Sequence, residues 1–175
     1  SEVGVGTTVI VKIPFKIGTQ DENSNLSDKS VSLDDYSVEG MRALVVEDNE
    51  LNMEIARCIL EESGMEVTCA ADGKEAVEIF EKSEPDYFGV IYMDIMMPRL
   101  NGLDAARTIR EMKRRDAMRI PIIAMSANAF AEDIINSRLA GMNVHLAKPL
   151  DAEKMIVALK QCMADNSDIK LHEDL

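Results

Sequence analysis

Four short motifs hold residue types suited to metal and phosphate chemistry. Glu47 and Asp48 are adjacent in LVVEDN, Asp94 stands in YMDIMMP, Ser126 in MSAN and Lys148 in AKP. Three carboxylates gathered within a few ångströms repel one another, and their proton affinities rise unless a cation intervenes. A hard, oxygen-preferring divalent ion removes that conflict. Magnesium binds through one or two carboxylates, keeps several waters and accepts phosphate oxygens. It would let a phosphate dianion approach an acidic pocket. Lys148 and the Ser126 hydroxyl would hold further phosphoryl oxygens, and Asp94 would be the carboxylate nucleophile. In-line phosphoryl transfer needs mainly this positioning and charge neutralisation.

These residues are far apart in the chain, so secondary structure must bring them together. Each follows or ends a short apolar run: MRALVV (41–46), YFGVIYM (87–93), PIIAM (121–125) and VHLA (144–147), with MEVTCA (65–70) as a further strand. The near-continuous apolar character of 87–93 fits a strand covered on both faces. Between the strands lie helical patterns. Asn49–Ser63 carries Leu51, Ile55, Ile59 and Leu60, with Gly64 as its stop. Residues 73–83 carry Ala76, Val77 and Phe80, and the next helix carries Leu103, Ala106 and Ile109. Ile134, Ile135 and Leu139 mark a helix stopped by Gly141. Met155, Ile156, Leu159 and Met163 mark the last, with Asp151 as N-cap. Strands alternating with helices imply an α/β, doubly wound parallel sheet with helices on both faces. Ligands bind such sheets beyond the carboxyl ends of the strands, where the chemistry-bearing residues stand.

The rest of the chain divides by composition. Residues 1–17 show period-two alternation from Val9 to Phe15, which predicts a strand with Pro14 at an edge or end. Residues 18–39 are acidic and Ser-rich with few large apolar side chains, which predicts a flexible linker. Residues 40–164 form the α/β domain, and 165–175 a short acidic tail. Over 175 residues the net charge is −13, which disfavours a nucleic-acid backbone or an anionic membrane surface as partner. Cys58, Cys69 and Cys162 show no metal-ligand or disulfide spacing. They are expected in or near the core, the methionines as core filler, and the setting as reducing and cytoplasmic. The basic cluster Arg107, Arg110, Lys113, Arg114, Arg115 and Arg119 is expected to be a solvated helix face.

With the four motifs in order, each at a strand end, residues 40–164 resemble a response-regulator receiver domain. The resemblance implies a flavodoxin-like five-stranded sheet in the order 2-1-3-4-5. It implies that Asp94 is the phosphoacceptor, and that Asp48, Asp94 and the Met96 carbonyl ligate Mg2+, with Glu47 supporting the metal. Lys148 would pair with Asp94 or the phosphoryl group, and Ser126 would bond a phosphoryl oxygen and shift when it arrives. A cis Lys148–Pro149 bond is implied too. His145 holds the switch position three before the lysine, where the family carries Tyr or Phe; a surface-facing imidazole is expected there. Met96 and Asn128 occupy positions that influence hydrolysis in this family. Met96 cannot orient a water by hydrogen bonding, so a long-lived phospho-aspartate is expected.

Residues 1–17, with GVGTTVIVKIPF, resemble the end of a histidine-kinase ATP-binding domain. Together the two resemblances imply the C-terminal part of a hybrid sensor histidine kinase, whose full-length form can be membrane-anchored. The partners implied are the parent's dimerisation domain, a histidine phosphotransfer protein, or both; the receiver itself would be monomeric or weakly dimeric. It would catalyse its own phosphorylation without being a stand-alone enzyme.

Each site residue also has a plainer role. Glu47–Asp48 suits a helix N-terminus, Ser126 or Asn128 a helix cap, and Lys148 a surface. A receiver-like interaction module that is never phosphorylated is the main alternative function. An aspartyl-phosphate phosphatase would need a second acid where Met96 stands, and a flavin carrier would be repelled by Glu47–Asp48.

Overall fold

The computed structural model describes residues 36–127 and 130–173, all within the unit Ser32–Leu175. The expected strand at 9–15, the kinase-like segment 1–17, most of the linker 18–39 and Asn128 lie outside the described residues.

Strands and helices alternate throughout. The order is β1 (Arg42–Val46), α1 (Glu50–Glu62), β2 (Glu66–Ala70), α2 (Gly73–Lys82), β3 (Val90–Asp94), α3 (Gly102–Glu111), β4 (Ile122–Ser126), α4 (Ala131–Leu139), β5 (Val144–Ala147) and α5 (Ala152–Glu173). The strands are all parallel, in the order β2-β1-β3-β4-β5, as the receiver resemblance implies.

Strand composition follows place in the sheet. Every residue of β3 and β4 is buried, and so are the last four of β1. Edge strands β2 and β5 keep exposed positions. Alternate residues feed two cores. Leu44, Val46, Ile91, Met93, Ile122 and Ala124 pack with Ala76 and Phe80 of α2 and Ala106 and Ile109 of α3. Ala43, Val45, Val90, Tyr92, Ile123 and Met125 pack with Ala56 and Leu60 of α1 and Met155 and Leu159 of α5. Burying each such large side chain stabilises by about 1.5–3 kcal/mol. That layer also takes in Val38, inside the segment expected to be linker.

Side-chain caps fix where the helices start. Asn49 caps α1, Asp72 caps α2, Asn101 caps α3, and Asp151 accepts from the Lys154 N–H as expected. Each cap contributes about 1 kcal/mol. The exception is α4, whose N-cap position is Phe130 with no side-chain bond, so Ser126 does not cap it.

Several expectations need correction. The strand expected from Tyr87 begins at Val90, because a turn comes first: the Tyr87 N–H donates to the Glu84 carbonyl and Asp86 takes a positive φ. On α4, Ile135 and Leu139 are exposed; Ser137 is the residue buried against the fold, its hydroxyl satisfied by the Ile134 carbonyl. Helix α5 runs on to Glu173, through residues expected as a tail. Cys162 is buried, but Cys58 on the outer side of α1 and Cys69 on the edge strand are exposed, as are Met96 and Met118. The basic cluster is not a helix face. Helix α3 ends at Glu111, and Arg110 and Arg114 turn inward to bond backbone carbonyls.

Candidate functional site

Parallel register places the motif residues side by side. Val46 pairs with Met93, Asp94 with Met125, and Ser126 with Ala147. Glu47, Asp94, Ser126 and Lys148 therefore leave neighbouring strands at one end of the sheet. The order reverses between β1 and β3 there, which is where such sheets open a crevice.

Lys148 is the hub. Its Nζ donates to Glu47 Oε2 at 2.6 Å and to Asp94 Oδ2 at 2.7 Å. The second Glu47 oxygen accepts from Asn52 Nδ2 at 2.9 Å, and Asp94 Oδ1 accepts from the Met96 N–H at 3.1 Å. Glu47 and Asp94 are buried, while Asp48 faces solvent. One oxygen from each of the three carboxylates lies within 4.8 Å of the others. At that separation, and an effective dielectric of about 20, a pair of buried carboxylates repels by roughly 3 kcal/mol. Burial opposes the charge on Lys148, but its bonds to Asp94 and Glu47 outweigh that and raise its proton affinity above the ordinary lysine value. The ammonium is thus held charged, yet one ammonium faces three carboxylates.

Ser126 is buried at the end of β4, and its carbonyl accepts from the Lys148 N–H at 2.8 Å. The Lys148–Pro149 bond is cis, as expected. His145 does not simply face solvent. It is half-buried in β5, with Nδ1 at 3.3 Å from Ser137 Oγ on α4.

Asn52, which holds Glu47, leaves little signal in the sequence: a polar side chain in the first turn of α1, right behind the acidic pair. Among the described residues no helix is long and apolar enough to cross a membrane.

Residues 43–160 match the family model of the response regulator receiver domain. The chain belongs to that family. It is a receiver domain of two-component phosphorelay signalling, and its relatives include hybrid histidine kinases. Probable histidine kinase 2 of Oryza sativa subsp. indica is 35% identical over 137 residues, covering 72% of this chain and 13% of the kinase. The chain thus spans only a small part of the kinases it matches. Among solved structures, the receiver domain of sensor histidine kinase PA1611 from Pseudomonas aeruginosa, with magnesium coordinated in its active-site cleft, is 37% identical with a TM-score of 0.64; the match covers 71% of this chain and 98% of that one. The receiver domain of Ssk1 from Saccharomyces cerevisiae was solved together with the histidine phosphotransfer protein Ypd1. That match has 26% identity and a TM-score of 0.60 over 69% of this chain and 86% of that one.

Proposed function

We propose that Asp94 of this receiver accepts a phosphoryl group from a phosphohistidine and that Mg2+ assists at the same site. The observation that carries the proposal is the Lys148 ammonium shared between Glu47 and Asp94, with Asp48 alongside. The donor set fits magnesium: three carboxylates whose oxygens gather within 4.8 Å and whose charge one lysine only partly offsets. Asp48 and Asp94 would hold the ion with the Met96 carbonyl, and Glu47 would support it. Bound there, it would neutralise phosphoryl oxygens that the carboxylates would otherwise repel.

The chain's own groups do the rest. An Asp94 carboxylate oxygen attacks phosphorus in line. The phosphorus–nitrogen bond to the donor imidazole breaks, and its electron pair stays on that nitrogen, which takes up a proton. Lys148, already on Asp94, holds a phosphoryl oxygen, and the Ser126 hydroxyl takes another. Occupation of Ser126 then favours one of two arrangements of β4–α4, with His145 on β5 bonded to α4 as the reporter. Met96 presents no hydrogen-bonding side chain to an attacking water, so the phospho-aspartate is long-lived and suited to relay. A histidine phosphotransfer protein, the dimerisation domain of a parent hybrid kinase, or both are the partners we propose.

The test is intact mass after incubation with a small acyl phosphate, with and without magnesium. One phosphoryl adduct that requires the metal is expected. A folded protein that binds magnesium yet gains no adduct from either an acyl phosphate or a phosphohistidine protein would leave a receiver-like interaction module instead.

A further inference from the structure

The connection from β3 to α3 carries Met96, and its shape is set from outside. Its Gly102 N–H donates to the Ile95 carbonyl at 3.0 Å, and a Cβ on Gly102 would lie 2.0 Å from the Asp94 carbonyl oxygen. At the other flank, the Gly73 N–H at the start of α2 donates to the Leu100 carbonyl at 3.2 Å, and a Cβ on Gly73 would meet that oxygen at 2.4 Å. Between these two contacts stands Arg99, a non-glycine residue with φ of 65°. Such a conformation is unfavourable for a residue with a side chain and persists only where the surroundings hold it.

The surroundings that hold it lie at the N-terminal cap of α2. Asp72 is buried, and its Oδ1 caps the helix through the Glu75 N–H at 2.9 Å. Its Oδ2 has no hydrogen-bond partner of good geometry, yet it forms an ion pair with the Arg99 guanidinium. The Asp72 carboxylate is buried while the Arg99 side chain is largely exposed, so the pair bridges the interior and the surface. The pair therefore ties the β3–α3 connection to the start of α2.

We propose that Arg99 and Asp72 are positioning residues for the phosphorylation site. Their ion pair fixes the backbone that aims the Met96 N–H at Asp94 Oδ1 and presents the Met96 carbonyl as a metal ligand. Neither side chain touches the reacting atoms. The proposal rests on the roles given above to Asp94 and Met96.

The test compares the parent with Arg99→Ala, Arg99→Gly, Arg99→Lys and Asp72→Asn. Magnesium affinity is read by titration calorimetry, and the Met96 amide by NMR shift and hydrogen exchange without metal. Arg99→Ala, Arg99→Gly and Asp72→Asn are expected to weaken magnesium about tenfold, the low end for groups that orient metal ligands, and to speed Met96 amide exchange. Arg99→Lys restores both readouts. Glycine relieves the positive φ but removes the ion pair, so it separates the two causes. Parent-like magnesium affinity and Met96 exchange in Arg99→Gly would overturn the proposal, as would unchanged values in Arg99→Ala. If the parent bound no magnesium while the Arg99 variants still loosened the Met96 amide, the pairing would stand and the metal assignment would fall.

Discussion

The two ends of the sheet each bury charge, and they handle it in opposite ways. At the amino ends of the strands, Arg114 and Asp116 form a two-pronged pair, with Nε to Oδ1 at 2.7 Å and Nη2 to Oδ2 at 2.8 Å. The remaining guanidinium hydrogens go to the carbonyls of Phe80, Ser83 and Glu84, and the guanidinium stacks 4.1 Å from the Phe80 ring centroid. Asp116 also accepts from the Asp86 N–H. In this pair one acid meets one base. At the carboxyl ends, one lysine serves two buried carboxylates while a third stands beside them. A matched buried pair fastens loops; on the proposed function, the mismatched set is what would draw a cation and a phosphoryl group.

The widest separation between the two ends comes from changing the proposed nucleophile. Asp94→Asn is expected to abolish the acyl-phosphate adduct completely while the protein stays folded, as intact mass and circular dichroism would show. Lys148→Met comes next. If its charge stabilises the transition state as proposed, its loss is expected to lower the phosphorylation rate by about 10²-fold or more, measured in a time course at saturating magnesium. At the other end, Asp116→Asn is expected to cost about 2–3 kcal/mol of stability in urea unfolding. It should leave magnesium affinity and adduct yield per folded molecule unchanged; a drop in either would show that the ends are coupled.

The smallest expected effect is a pH dependence. The hydrogen bonds from Arg114 pull Asp116 down from 3.8 to about 2. The unfolded chain therefore binds the proton more readily than the folded one between those values. The contribution is complete above about pH 4 and is lost as pH falls toward 2. Asp116→Asn should flatten that acid limb of the stability curve, and an unchanged limb would mean that Arg114 does not set the Asp116 carboxylate.

How much was legible beforehand follows from what kind of signal each part leaves. Apolar runs and caps act locally, so all five strands and helices, and Glu47, Asp48, Asp94, Ser126 and Lys148 at their ends, could be placed from residue types. Contacts between loops leave no such trace. Nothing in ADGKEA announces that Asp72 meets Arg99, and a run of arginines looks alike whether solvated or, like Arg114, turned inward onto carbonyls. The outer face of α4 misled for a related reason: Ile135 and Leu139 have the right spacing for a core face, but the residue that packs inward is Ser137.

On the proposed function, the mismatched end of the sheet is a metal-assisted phosphoacceptor acting through Asp94. Its most direct test is borohydride reduction after exposure to an acyl phosphate, followed by peptide mass mapping, because an aspartyl phosphate is reduced to homoserine. Homoserine at position 94, in magnesium-containing samples and not in metal-free ones, is the result expected. Homoserine at Asp48 or elsewhere, or equal labelling of position 94 without magnesium, would contradict it.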